Sequence, residues 1–194
     1  MVASRTSMSS RLALAAALVA LVAAAWPAAA QLPTYGLGRA PTAEEIKAWD
    51  LTIPPDGQGL PPGRGTAALG KPVYVQRCAT CHGETGTDPK YFVLVGGRGT
   101  LNTDKPLKTI GSYWPYATTL WSYVRRTQPF DEPGSLTPDE VYAVTAYLLH
   151  LNGIVKEDDV LDATTLPRIQ MPNRDGFVPD ARPDVGRRPK TPPR

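Results

Sequence analysis

"RCATCHGETG", residues 77–86, holds the only two cysteines of the 194-residue chain, Cys78 and Cys81, with His82 directly after the second. With no third cysteine present, the two thiols act on each other or on something brought to them. Three chemistries use this spacing. A disulfide across two intervening residues makes a strained ring, found mainly in thioredoxin-like redox sites that follow a strand in a βαβ pattern; no such pattern surrounds residue 78. Zinc needs four ligands. Cys78, Cys81 and His82 do not easily converge on one ion while leaving the fourth place to His150, the one other histidine. The third chemistry is c-type haem attachment, whose signature is Cys-x-x-Cys-His. Both thiols add to the vinyl groups of one porphyrin, and the next histidine is brought under the ring to ligate the iron. The expected cofactor is therefore one covalently attached haem c, held by Cys78 and Cys81, with His82 as a metal ligand.

The chain's start fits export. Arg5 and Arg11 precede an aliphatic run from Leu12 to Ala25, and "PAAAQ" places small residues at Ala28 and Ala30. The run is shorter than the ~20 residues a membrane span needs, so residues 1–30 are expected to be a signal peptide cleaved near Ala30 into the periplasm. The mature chain then has no membrane span. It keeps 19 of the 21 basic residues and all 18 acidic ones, a formal charge of +1, which gives no footprint for nucleic acid. Residues 180–194 carry five basic and two acidic residues among prolines and are expected to be a disordered tail.

Between these ends the punctuation is helical. Gly70, Val73, Tyr74 and Arg77 recur at i, i+3, i+4 and i+7, and Pro72 is expected in the first turn, so a helix should start near Leu69 and lead into Cys78. In "SYWPYATTLWSYVRRTQP" Pro115 should open a second helix that Pro129 ends. In "LTPDEVYAVTAYLLHLNG", residues 136–153, Thr137 caps, Pro138 takes the first position, Glu140 completes a capping box and Gly153 stops the helix. Thr42 and Glu45 suggest a short helix in "APTAEEIKAW", followed by the proline-rich arm "TIPPDGQGLPPGRG", expected to lie against the domain or a partner. No alternating strand pattern appears. The expected fold is all-α, with an arm at residues 31–66, a monohaem domain at 67–179, and long loops.

A six-coordinate iron needs a ligand opposite His82. Once the signal is removed only Met171 remains among the methionines, in "LPRIQMPNRDGF", and it becomes the expected distal ligand. The segment after the last helix would then fold back, with Leu161 and Leu166 as anchors and Pro172 fixing the turn. His150 and Gln128 are weaker competitors. Arg98 in "VGGRGTL", flanked by glycines, is expected near a haem propionate, with Tyr113 and Trp114 as lesser candidates.

Together, "CATCHG", "GGRGTL", "TIGSYWPYATTLWSYVRR", "SLTPDEVYAVTAYLLHLNGIV" and "MPNRDGF" resemble the c-type cytochrome subunits of Sox sulfane dehydrogenases and of sulfite dehydrogenases, over residues 35–183. The resemblance implies a class I cytochrome c fold and single-electron transfer. It also implies a molybdopterin-containing partner subunit of the sulfite oxidase type and an onward acceptor such as another cytochrome c. Two departures stand out: "RTQPF" lacks the methionine that many such chains carry before the last helix, and no second attachment motif occurs. Outside that family, the same features suit a free periplasmic shuttle to a terminal oxidase.

Overall fold

A computed structural model describes residues 35–180 and residue 182. The expected signal peptide and nearly all of the expected tail lie outside the described residues. Residues 35–42 belong to a first unit and contain no helix or strand. The second unit, from Ala43 onward, contains in chain order α1 (Ala43–Trp49), β1 (Arg64–Gly65), α2 (Ala67–Arg77), the single turn α3 (Ala79–His82), α4 (Ala117–Thr127), α5 (Pro138–Leu151), β2 (Leu161–Asp162) and a 3-10 turn at Leu166–Arg168.

The helix α5 organises the rest. Its capping box is complete: the Thr137 side chain accepts from the Glu140 amide, and the Glu140 carboxylate accepts from the Thr137 amide at 2.8 Å. Residues Val141 to Leu149 are buried all round, because neighbours cover every face of the helix. It ends at Asn152, and Gly153 takes the left-handed conformation (φ 63°) that stops it. Across it run β1 and α2, brought to backbone contact by one glycine each. A Cβ on Gly65 would stand 2.7 Å from the Ala143 Cβ, and one on Gly70 would stand 2.9 Å from the Tyr147 Cβ and closer still to the Ala143 carbonyl. Tyr74 and Tyr147 continue the crossing with ring centroids 5.3 Å apart.

Three local expectations need correction. First, α2 starts at Ala67, not near Leu69, because Thr66 caps it by accepting from the Leu69 amide at 3.3 Å. Pro72 therefore sits in the second turn, where it leaves the Ala68 carbonyl without a helical partner; both residues are exposed, so water can serve that oxygen. Second, α4 begins at Ala117 after an extended Tyr116, so Pro115 stands before the cap rather than at the first helical position. Third, a minimal antiparallel pair does form, Arg64 opposite Asp162 and Gly65 opposite Leu161.

The proline-rich arm lies along α4 and α5. The Ile53 side chain is buried, and its amide donates to the Ser122 hydroxyl at 3.0 Å. The Tyr142 hydroxyl donates to the Pro61 carbonyl at 3.0 Å, and the Arg64 amide to the Asp139 carboxylate at 2.7 Å. Beyond α5 the chain returns as a strap whose Leu161, Leu166 and Met171 are all buried with Trp121 and Val144 in one core. Among the described residues no helix is long and apolar enough to cross a membrane.

Candidate haem site

Cys78 lies at the junction of two helices. Its amide still donates to the Tyr74 carbonyl at 2.8 Å, ending α2, while its own carbonyl accepts from the amides of Cys81 at 3.2 Å and His82 at 3.0 Å, starting α3. Gly83, at φ 72°, closes the turn with its amide on Ala79 at 2.8 Å. The Tyr74 hydroxyl donates to the Gly83 carbonyl at 2.8 Å, tying the attachment turn to the α2–α5 crossing. Sequence reading gave Tyr74 only a place on the apolar stripe; its position one turn before Cys78 was the available signal.

Both thiols are free, Cys78 half-buried and Cys81 exposed. Burial pushes the Cys78 thiol up to about 11, against a smaller pull downward from Arg77. A redox-active dithiol shows the opposite, a thiolate stabilised near neutral pH. Among the described residues no three His, Cys, Asp or Glu side chains converge as a metal cluster would need.

The His82 ring carries the most informative contact. Its Nδ1 lies 2.8 Å from the Phe92 carbonyl. A carbonyl only accepts, so Nδ1 is the donor in this contact, and Nε2 is the nitrogen it leaves for a ligand bond. The same Phe92 returns its amide to the Cys81 carbonyl at 3.3 Å, and its ring stands edge-on to the imidazole at 6.3 Å. Two thiols three residues apart on one helical turn, beside an imidazole whose Nδ1 is engaged by a carbonyl, are the donor set a covalent haem requires.

The remaining candidates lie on other segments of the chain. Met171 is buried on the strap, its carbonyl accepting from the Arg174 amide at 3.1 Å. The Arg98 side chain donates from Nη2 to the Asn152 carbonyl at 2.7 Å and lines a cleft of about 270 Å³ together with Pro172 and Asn173. Tyr113 and Trp114 do not line that cleft. The Tyr113 ring meets Phe177 and the Lys108 ammonium, each at 5.3 Å, and the Trp114 ring meets Tyr123 at 5.5 Å. His150 turns Nδ1 to the Val155 carbonyl at 3.2 Å and serves the end of α5. Asn152 was missed by sequence reading, since its side chain bonds segments more than fifty residues away.

The family profile described as cytochrome c matches residues 67–152, the span from α2 through α5. In a crystal structure of the sulfane dehydrogenase SoxCD from Paracoccus pantotrophus, one chain is 44% identical to this one, with a TM-score of 0.70 over 79% of this chain and 76% of that chain. The chain belongs to the cytochrome c family. The fold of this cytochrome is accordingly helical with little strand, its cofactor is covalently bound haem c, and it is an electron-transfer domain. It is also 27% identical over 115 residues to the thiosulfate dehydrogenase of Stutzerimonas stutzeri (strain A1501). That match takes in 52% of this cytochrome and 35% of the relative, so the chain spans about a third of that protein's length.

Proposed function

We propose that this cytochrome is the haem subunit of a molybdenum-dependent dehydrogenase of sulfur compounds, exported to the periplasm with its leader cut near Ala30. The likeness to a chain of SoxCD, which extends over three quarters of both chains, carries the reading. The basic and apolar start of the sequence supports export. A molybdopterin subunit of the sulfite oxidase type would supply electrons, and another cytochrome c would receive them.

Within the chain, Cys78 and Cys81 would hold the porphyrin through thioethers, and His82 would offer Nε2 to the iron. The hydrogen bond from Nδ1 to the Phe92 carbonyl fixes the tautomer and ring angle and makes the imidazole a stronger donor. Met171 on the strap would be the second protein ligand to the iron, its buried thioether being neutral, soft and shielded from water. When bound, the haem would supply a one-electron couple; with His82 and Met171 both on the iron, this chain would offer no seat there for a sulfur substrate and would leave bond chemistry to its partner.

The test is reduction by substrate. A sulfur compound such as sulfite or thiosulfate should bleach the oxidised Soret band quickly only when the molybdenum subunit is present. Equal reduction of the isolated cytochrome, or none in the purified complex, overturns the assignment. Met171→Ala should retain attached haem while losing the methionine-to-iron charge-transfer band; retention of that band removes Met171 from the iron.

A further inference from the structure

A groove of about 1140 Å³ runs between the proline-rich arm and α4, and none of its lining residues belongs to the attachment turn or to the Met171 strap. The arm contributes Trp49, Leu51, Pro54 and Pro61, and α4 contributes Trp121 and Arg126. That volume exceeds the ~300–1,000 Å³ of an ordinary small-molecule site and suits a length of chain. The approach to it is apolar and uncovered. No residue of α1 is buried; Trp49, its last residue, is 87% exposed, and Ile46 one turn earlier and Leu51 just beyond are exposed as well. Ile46 and Trp49 share a helix face at i, i+3. A seven-residue helix is too short to hold itself in water, so α1 gains stability when another surface covers that face.

Two donors of the groove lack acceptors. Trp121 is 1% exposed, and its indole N–H has no hydrogen-bond partner among the described residues. Arg126 spends Nε on the carbonyl and hydroxyl of Ser122, at 3.2 and 3.3 Å, while its terminal nitrogens have no acceptor among the described residues. The same Ser122 hydroxyl accepts from the Ile53 amide at 3.0 Å, so Arg126 is held in register with the arm. Arg125 differs, being committed to the carbonyls of Gly134 and Leu136. Among the lining residues Asp50 is the one carboxylate, so the groove carries a net positive charge.

We infer that this groove receives an extended, proline-bearing segment of the molybdenum subunit, with an acidic side chain of that segment on Arg126. The inference deepens the proposed function and rests on it. A polyproline-type chain leaves its carbonyls free of internal hydrogen bonds, and grooves lined by aromatic rings take such chains. The Trp121 N–H is the donor that one of those carbonyls would satisfy, and a buried donor gains most from an acceptor that water does not supply. A carboxylate beside them would pair with the free end of the Arg126 guanidinium through charge-assisted hydrogen bonds. The choice of the dehydrogenase as the source follows from how far the SoxCD likeness reaches. It covers 79% of this chain, whereas residues 67–194, the cytochrome c match and everything after it, make up about two thirds. The shared part therefore extends into the residues before 67, which lie outside the cytochrome c match.

The test measures the affinity of the purified molybdenum subunit for the holo-cytochrome by biolayer interferometry, in wild type, Trp49→Ala, Arg126→Glu and, as a control outside the groove, Val178→Ala. Trp49 and Arg126 are exposed, so both variants should keep the wild-type haem spectrum and midpoint potential. Each should weaken binding by about tenfold or more, as loss of an aromatic or arginine anchor does, and Val178→Ala should leave it unchanged. Amide hydrogen exchange of the complex should slow residues 49–61 together with one short stretch of the partner that exchanges fast when free. A wild type that neither binds the subunit nor is reduced through it overturns the proposed function and the groove assignment together. A wild type that binds, with Trp49→Ala and Arg126→Glu binding as tightly, overturns the groove alone. Weakening by Trp49→Ala with none by Arg126→Glu overturns the acidic character of the segment, and protection confined to partner elements already slow to exchange overturns its extended form. Self-association of the cytochrome that Trp49→Ala abolishes, with partner binding intact, would assign the groove to a second copy of this chain and overturn the partner segment.

Discussion

Gly70→Ala sets two terms of opposite sign against each other. Inside a helix, alanine is favoured over glycine by about 1 kcal/mol, so propensity alone predicts a more stable protein. The crossing predicts the reverse. The new Cβ would stand 2.9 Å from the Tyr147 Cβ and nearer to the Ala143 carbonyl, whereas carbon atoms attract at about 3.5–4.0 Å. The obstruction is α5 backbone, which no rotamer change can move, so α2 and α5 must separate by about 1 Å along their seam. Overpacking of this kind costs about 1–3 kcal/mol, and a gap of that width forfeits a quarter to a half of each contact it opens. The expected balance is a loss of about 1 kcal/mol. For a chain of this size that lowers the Tm by roughly 2–4 °C. The assay is thermal unfolding of the holo-protein by circular dichroism, with Ala68→Gly as the control. Ala68 is exposed on the same helix, so its replacement should cost about 1 kcal/mol through propensity alone. A Gly70→Ala protein as stable as wild type, or more so, would refute the close-crossing argument.

Thr137→Ala removes both the side-chain acceptor for the Glu140 amide and the partner of the Glu140 carboxylate, and should cost about 1 kcal/mol in chemical denaturation. Asp162 has its carboxyl held down to about 2, first by the Thr164 hydroxyl and then by the amides of Thr165 and Thr164. Because the folded value lies below the ordinary one of 3.8, its contribution is fully present above about pH 4 and is lost as pH falls toward 2. The stability gap between wild type and Asp162→Asn should accordingly narrow across that window; a gap independent of pH between 4 and 2 would exclude the mechanism. Replacing both Cys78 and Cys81 by alanine should make all haem extractable with acidified organic solvent, whereas the wild type should keep it on a denaturing gel.

The parts of the fold that were legible in the sequence are those written in adjacent residues. Thr137, Pro138, Glu140 and Gly153 specify both ends of α5 within one short stretch, and the structure places each in its expected role. The start of α2 is set by Thr66 rather than by Pro72, because a proline on an exposed helix face forfeits less than the general rule assumes. Two-residue strands are too short to show alternation, so β1 and β2 had no signature. At the site, Cys78, Cys81 and His82 were legible as a motif, and Met171 stood out as a candidate by elimination. The Phe92 carbonyl and the Asn152 amide were not, because hydrogen bonds to the main chain leave no mark on the identity of the residue that accepts or donates them.

Phe92 steers the His82 imidazole with its carbonyl and anchors to Cys81 with its amide, while its ring remains largely exposed. Every amino acid except proline carries both of those groups. Position 92 is thus open to neutral drift: its side chain can be exchanged for almost any other while the histidine keeps its aim. A lineage of such proteins is free to remodel this patch of surface without revising the chemistry beneath.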